Sequence, residues 1–354
     1  MCLSEAKGMD IKMEKKFEII TTIRRDKQQM ENQKLFLERV QALLEMQVTK
    51  FRFNIEKWED KERDILVSDI QEIRKKFHDI PFKVFLDIPY PNRKIRIATK
   101  NKENILLRKG ERLHIFSNEC DIDKCNIGIR VNIKNVGDMM WEQQKIIFGD
   151  GVGCLEVEEI RSCNEIIARA DNTFELEHSK AITFTGSVYQ NMDQLEQIIQ
   201  LIEQIKPEGV ALSFVENEKQ IENFRRKLGF QCEIMAKIES KEGVNRYKEI
   251  LEKADSIMIA RGDLGLAIPI HKLAQTQILL IEEAKKQNKP VYVATDVLNS
   301  MMKALIPTRA DIMDLYLIKE SGATGVVLTY GLVRSNQIQR AVKLIKDISV
   351  NGKN

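Results

Sequence analysis

Lys237 and Glu239 stand two residues apart where the apolar run Cys232–Ala236 gives way to charge. Asp263 follows a second apolar run, Ser256–Ala260, flanked by Gly262 and Gly265. Side chains alternate along a strand, so Lys237 and Glu239 share one face and Ile238 takes the other. An amine and a carboxylate buried at a strand end are costly unless they are paired or bound to something. A lysine with two carboxylates from neighbouring strand ends suits a divalent metal together with an anionic oxygen. A Lys–Glu salt bridge and a Gly-Asp turn at a barrel rim use the same residue types, so either motif alone leaves both readings open.

These residues need a scaffold, and the rest of the chain supplies a regular one. Glu242–Ala254, between the two runs, has Val244, Tyr247, Ile250 and Leu251 on one helical side, which makes a strand–helix–strand unit. Earlier in the chain, strands are expected at Phe17–Thr22, Thr49–Phe53 and Phe82–Leu86, alternating with helices at Gln28–Met46 and Lys57–Phe77. From Ile97 to about Gly186 the rhythm breaks into short β-like runs: Leu113–Phe116, Ile129–Ile133, Lys145–Phe148, Cys154–Ile160, Ile166–Ala170 and Ala181–Phe184. Turn residues such as Gly149-Asp-Gly151-Val-Gly153 separate them. Alternation then resumes through helix Met192–Ile205, strand Gly209–Phe214, helices Glu218–Leu228 and Ile270–Gln287, and strand Pro290–Thr295. Helix Ala310–Glu320, strand Gly325–Thr329 and helix Ser335–Ile348 close the series.

Eight strand–helix units in an α/β chain predict a TIM (β/α)8 barrel, with an all-β domain inserted after the third strand. The expected division is an N-terminal tail at 1–14, a barrel at 15–96 and 187–350, an inserted β-barrel-like domain at 97–186, and a tail at 351–354.

Such barrels carry their chemistry at the C-terminal strand ends. The expected ring there is Arg52 and Asn54, Asp87, Ser213, Lys237 and Glu239, Asp263, Thr295 and Thr329. Arginine and lysine beside carboxylates suit a phosphorylated anion bridged by a metal, and hard oxygen donors favour magnesium or manganese. Glu239 and Asp263 would be the ligands, and Arg52 would take a phosphoryl group bidentately. Lys237 would neutralise charge developing on the phosphoryl group or on an enolate oxygen. The Gly262 and Asp263 amides, followed by a helix, suit a substrate carboxylate, and Thr295 adds a hydroxyl.

Composition narrows the field. Lys plus Arg number 56 against 53 Asp plus Glu, so the net charge of +3 is no argument for a nucleic-acid partner, and none is expected. No apolar run reaches membrane-spanning length, and the first residues lack the apolar region of a signal peptide. Six scattered cysteines and four dispersed histidines complete no zinc site and are expected as reduced thiols and ordinary polar residues of a cytoplasmic protein.

The sequence resembles the pyruvate kinase family from about Lys15 to Ile348. A-K-I-E-S-K-E-G-V followed by D-S-I-M-I-A-R-G-D-L-G is the most specific stretch. A-T-x-x-L-x-S-M at Ala294–Met301, P-T-R-A at Pro307–Ala310, R-x-N at Arg52–Asn54, S-F-V at Ser213–Val215 and L-D-x-P-x-P at Leu86–Pro91 agree. The insertion resembles that family's mobile lid, with F-G-D-G at Phe148–Gly151 at its turn.

The resemblance implies catalytic roles for Lys237, Thr295 and Arg52. Substrate would be bound by Arg52, Lys237, Gly262, Asp263 and Thr295, and a divalent Mg2+ or Mn2+ by Glu239 and Asp263. It implies nucleotide contacts at Arg96 and Lys180, and Asn54 and Asp87 as ligands of a monovalent cation, K+. The substrates implied are phosphoenolpyruvate/pyruvate and ADP/ATP, with a homodimer through the barrel as a candidate assembly.

Departures from the family pattern are specific. Glu56, Lys57 and Ile88 replace residues around the potassium site, so weak potassium dependence is expected, with Lys57 as a fixed cation. Arg24-Arg25 replaces Gly-Pro, Asp296 replaces Gln, and Thr329-Tyr330-Gly331 replaces Ser-Gly-Glu. The family's C-terminal regulatory domain has no counterpart in the sequence, so sugar-phosphate activation is not expected. The implied activity is transfer of the phosphoryl group of phosphoenolpyruvate to ADP. The same enolate and metal chemistry with another acceptor, and a degenerate regulatory protein, are the alternatives.

Overall fold

In the first three strand–helix units, apolar residues alternate between the two sides of each strand. The computed structural model describes residues 17–25, 33–55, 60–91, 95–118, 127–149, 151–184 and 195–350. Strand β1 (Glu18–Thr22) leads to helix α1 (Gln33–Glu45), then β2 (Lys50–Asn54), α2 (Asp60–Lys76) and β3 (Lys83–Pro91). Phe51 and Phe53 of β2 face the helices while Lys50, Arg52 and Asn54 face the barrel axis, as the period of two requires. Strand β3 runs five residues past its expected end at Leu86, and the insertion's first strand already begins at Ile95. Arg96 therefore belongs to the inserted domain, not to the barrel segment 15–96.

The insertion contains β4 (Ile95–Thr99), β5 (Ile105–Leu107), β6 (Arg112–Phe116), β7 (Gly128–Val131), β8 (Lys145–Phe148), β9 (Gly153–Ser162), β10 (Glu165–Ala170), β11 (Phe174–Leu176) and β12 (Ala181–Phe184). Seven of these strands close in the order β10-β6-β7-β4-β12-β8-β9, while β11 and β5 form a separate pair. All six expected β-like runs are strands. β4, β5 and β11 were not expected, being short and flanked by polar residues. The insertion has its own apolar core, including Leu113, Ile129, Phe148, Leu155 and Ile166.

The barrel resumes with α3 (Leu195–Ile205), β13 (Gly209–Ser213), α4 (Glu218–Lys227), β14 (Glu233–Ile238), α5 (Lys241–Asn245), α6 (Tyr247–Lys253) and β15 (Ser256–Ala260). It ends with α7 (Arg261–Ala267), α8 (Leu273–Lys286), β16 (Val291–Ala294), α9 (Arg309–Glu320), β17 (Gly325–Leu328), α10 (Tyr330–Arg334) and α11 (Ile338–Val350). Eight parallel strands close in the order β1-β17-β16-β15-β14-β13-β3-β2. The expected helix Glu242–Ala254 is two helices broken at Arg246, and α7 and α10 are short helices that the sequence reading passed over. The cysteines Cys154, Cys163 and Cys232 are free thiols, whereas Cys2, Cys120 and Cys125 lie outside the described residues. No helix among the described residues is long and apolar enough to cross a membrane.

The barrel interior is layered. Ile20, Phe85, Ala211, Met235, Met258, Tyr292, Ala294 and Val327 fill its middle. Beneath them Lys50 donates to the Tyr292 hydroxyl at 2.7 Å, and that hydroxyl donates to Glu18. Burial first, then the Glu18 carboxylate, pushes the Tyr292 phenol well above its ordinary value, so it stays a donor. The polar layer at the opposite, C-terminal end is the site described below.

Close strand approach at the β1–β17 seam depends on one glycine. A Cβ on Gly325 would stand 2.1 Å from the Glu18 carbonyl oxygen, which is backbone and cannot swing aside. Gly325→Ala is expected to destabilise the protein by about 1–3 kcal/mol, seen as a lower urea midpoint with unchanged slope. A midpoint equal to that of the unmodified protein would refute the packing argument.

Candidate active site

Strand register brings the ring residues together. Thr22 lies opposite Arg52, and Asn54 opposite Asp87. Ala211 lies opposite Asp87, with Leu212 opposite Ala236, one residue before Lys237. Asp87 is the hub. Its Oδ2 accepts from Arg52 Nε at 2.7 Å and pairs with Arg52 NH2 at 2.6 Å. Its Oδ1 accepts from Lys237 Nζ at 3.1 Å and from the Ser213 hydroxyl at 3.3 Å. Lys237 also donates to Ser213 Oγ at 3.0 Å and lies 3.2 Å from Glu239 Oε1. The other Glu239 oxygen takes the Phe214 N–H at 2.8 Å. Thr22 Oγ1 accepts from Arg52 NH1 at 2.7 Å; the sequence reading missed this residue, although its inward parity at the end of β1 was a usable signal.

Lys237, Asp87 and Glu239 are 6%, 1% and 1% exposed, so their charges survive only by mutual pairing. Burial pushes the Asp87 carboxyl up, but Arg52 and Lys237 together outweigh it and hold that carboxyl below its ordinary value. Burial likewise works against the Lys237 ammonium, and Asp87 and Glu239 outweigh it, with Asp263 adding to their pull and Arg52 opposing it. Lys237 is therefore a permanent cation at the ring's centre.

Thr295 and the Arg261–Asp263 turn form the second part. Helix α7 starts directly at Arg261, so the Gly262 and Asp263 amides belong to its first turn. Arg261 turns away from the mouth. Its Nε and NH2 donate to the Thr295 carbonyl at 3.0 and 2.6 Å, and its NH1 to Asp314 of α9 at 2.6 Å. A Cβ on Gly262 would lie 3.0 Å from Thr295 Cγ2, so here the glycine makes room for Thr295. Thr295, Asp296 and Leu298 all have left-handed backbone, at φ 73°, 57° and 52°. Each such residue costs roughly 1–2 kcal/mol, and clustered strain of this kind is characteristic of sites where position matters more than stability. The P-T-R-A motif is a helix start: Thr308 caps α9 by accepting from the Asp311 N–H. Ser300 donates to Asp311 and accepts from the Thr308 N–H, tying the loop after β16 to that cap.

Other expected residues fall elsewhere. Thr329 caps α10, accepting from the Leu332 N–H at 3.4 Å, and Tyr330 is that helix's first residue. Arg96 and Lys180 meet in the insertion, where Arg96 pairs in register with Ala181 and its NH1 donates to the Ser179 carbonyl at 3.0 Å. Lys180 is exposed and pairs with Glu177. Gly151, at the β8–β9 turn, lies beside Leu266 of α7, 3.8 Å from where its Cβ would be. Glu56, Lys57 and Asp150 lie outside the described residues.

The donor set bears on a metal. Among the described residues no group of three or more His, Cys, Asp or Glu side chains is arranged to hold one. Glu239 and Asp263 are hard oxygen donors of the kind magnesium takes, and both carboxylates lie close enough to Lys237 to raise its pKa.

Comparison with known proteins gives the family. The chain matches the family model described as "Pyruvate kinase, barrel domain" over residues 14–331. It belongs to the pyruvate kinase family. It is 29% identical over 321 residues to a pyruvate kinase of Thermotoga maritima, covering 88% of this chain and 67% of that protein. To a pyruvate kinase of Clostridium acetobutylicum it is 28% identical over 302 residues, covering 82% and 62%. To one of Thermococcus litoralis it is 31% identical over 245 residues, covering 68% and 51%. The chain thus spans between 51% and 67% of the length of these pyruvate kinases.

Proposed function

We propose that this protein transfers the phosphoryl group of phosphoenolpyruvate to ADP, giving pyruvate and ATP. The observation that carries the reading is the buried Arg52–Asp87–Lys237–Glu239 array at the C-terminal strand ends, with Asp263 acting on Lys237 and Thr295 packed against Gly262. Arg52 receives the phosphoryl group, and Asp87 and Thr22 fix its guanidinium so that little entropy is lost on binding. Lys237 stabilises the charge that spreads over the phosphoryl oxygens and the enolate oxygen as the P–O bond breaks. The enolate carbon then takes a proton on the Thr295 side, which completes pyruvate. Bound at Glu239 and Asp263, a divalent ion would neutralise phosphoryl and enolate oxygens. Arg96 and Lys180 on the insertion, whose β8–β9 turn meets α7, suit a nucleotide approaching from the lid side.

The altered rim at Asp296 and Tyr330 favours one second reading, the same enolate chemistry with a different acceptor. A product assay separates the two. The protein is incubated with phosphoenolpyruvate, ADP and magnesium, and pyruvate and ATP are both quantified. Equal amounts are expected; pyruvate without ATP would replace this reading with the second, and neither product would reject both.

Both Asp87 oxygens already carry fixed cations, so a potassium ion there would compete with Arg52 and Lys237. Turnover is expected to change little when sodium replaces potassium in that assay. A fall of an order of magnitude would refute the argument from Asp87.

A further inference from the structure

The β1–β2 pairing continues one residue beyond β1, since the Ile23 N–H donates to the Arg52 carbonyl at 2.9 Å. Ile20 and Thr22 face the barrel axis, and Ile19 and Ile23 face the helices. The same alternation carries Arg24 to the axial side, outside Thr22, and Arg25 to the helix side. There Asp69 of α2, fully buried, accepts from Arg25 Nε at 3.0 and 3.1 Å. The adjacent arginines are thus sorted: one anchors the loop, the other stands at the mouth.

Arg24 is held there by an aromatic ring from the neighbouring strand end. Its guanidinium carbon lies 4.8 Å from the centroid of the Tyr330 ring. Tyr330 is placed by the Thr329 cap and by Gly331, where a Cβ would stand only 2.5 Å from Met302 Sδ. The 4.8 Å separation puts the guanidinium over the ring face, within cation–π range. Among the described residues, Arg24 Nε is buried with no hydrogen-bond partner. That Nε is enclosed, so an oxyanion meets the guanidinium at its terminal nitrogens, with the Tyr330 ring holding the cation in place.

Depth decides which oxyanion. Arg52 and Lys237 lie deeper, at the ends of β2 and β14, where they serve the donor's phosphoryl group. An acceptor attacking in line arrives from outside that layer, on the side where Arg24 stands. We propose that Arg24, stacked on Tyr330, binds the phosphate chain of the acceptor and makes this site selective for a diphosphate-bearing one. This assignment rests on the phosphotransfer reading above.

The test is Arg24→Gln, with Arg24→Lys and Tyr330→Leu beside it. KM for ADP and KM for phosphoenolpyruvate are measured separately, and binding of inorganic pyrophosphate is measured by calorimetry. Arg24→Gln is expected to raise KM for ADP and weaken pyrophosphate binding by about tenfold or more, as for a lost charge-assisted hydrogen bond, with KM for phosphoenolpyruvate unchanged. Arg24→Lys should recover part of the loss, and Tyr330→Leu should reproduce part of it. Unchanged KM for ADP, or a rise confined to phosphoenolpyruvate, would overturn the assignment. If the unmodified protein shows no turnover, the phosphotransfer reading fails separately, and pyrophosphate alone decides. Weaker binding by Arg24→Gln upholds the anion site, and equal binding or none by the unmodified protein overturns it.

Discussion

Lys237→Met is expected to lower turnover with phosphoenolpyruvate and ADP by about three orders of magnitude or more, the scale of losing a cation that meets transferring phosphoryl charge. The size follows from the residue's position. Lys237 is buried, is held protonated by Asp87 and Glu239, and stands at the centre of the array. Methionine keeps an unbranched apolar stem and removes the ammonium together with its hydrogen bonds to Asp87 and Ser213. Asp87 retains Arg52, while Glu239 retains the Phe214 N–H and loses its lysine. Some loss of stability therefore accompanies the loss of rate, and the two are read separately, by urea unfolding and by initial rates. A folded variant turning over within tenfold of the unmodified protein would remove Lys237 from the mechanism.

Asp87→Asn is the largest expected effect on stability. It leaves Arg52 and Lys237 without their shared counter-charge in a buried site, and breaking one partner out of a buried pair costs about 3–5 kcal/mol. The pH dependence gives a second reading of the same residue. Because the folded carboxyl lies below its ordinary 3.8, its stabilisation is complete above that value and is lost as pH falls through the depressed folded value. The Lys237 shift runs the other way. Its stabilisation is complete below its ordinary 10.5 and fades as pH rises toward the raised folded value. The stability gap between the unmodified protein and Asp87→Asn should therefore be widest between those limits and narrow on acidification. A gap that widens as pH falls below 3.8 would contradict the charge-pair account.

Much of this was legible in the chain. Lys237 and Glu239 share a face because strand period is a local property, and the structure keeps both on the barrel axis with Ile238 among the helices. The eight-unit count and the insertion's place after β3 also follow from periodicity, since apolar patterning is set by which side of each element is buried. The boundary at Ile95 and the strands β4, β5 and β11 were less legible, because short polar-flanked strands form when partners arrive and not from their own residues. In the sequence Arg261 is only the first letter of R-G-D-L-G, and its Asp314 partner on α9 reveals it as a brace behind Thr295.

The sequence by itself determined the barrel, the inserted β domain and the family, together with the residue types at the strand ends. Only the tertiary structure decided how those ends divide their labour. Asp87 bridges Arg52 and Lys237, 35 and 150 residues away. Thr22 joins them, Thr329 leaves the ring to cap a helix, and Arg24 meets Tyr330 across the β1–β17 seam. Closing the sheet is what makes the first and last strands neighbours. A charge's partner is fixed by that closure and by register, neither of which is a property of the local sequence.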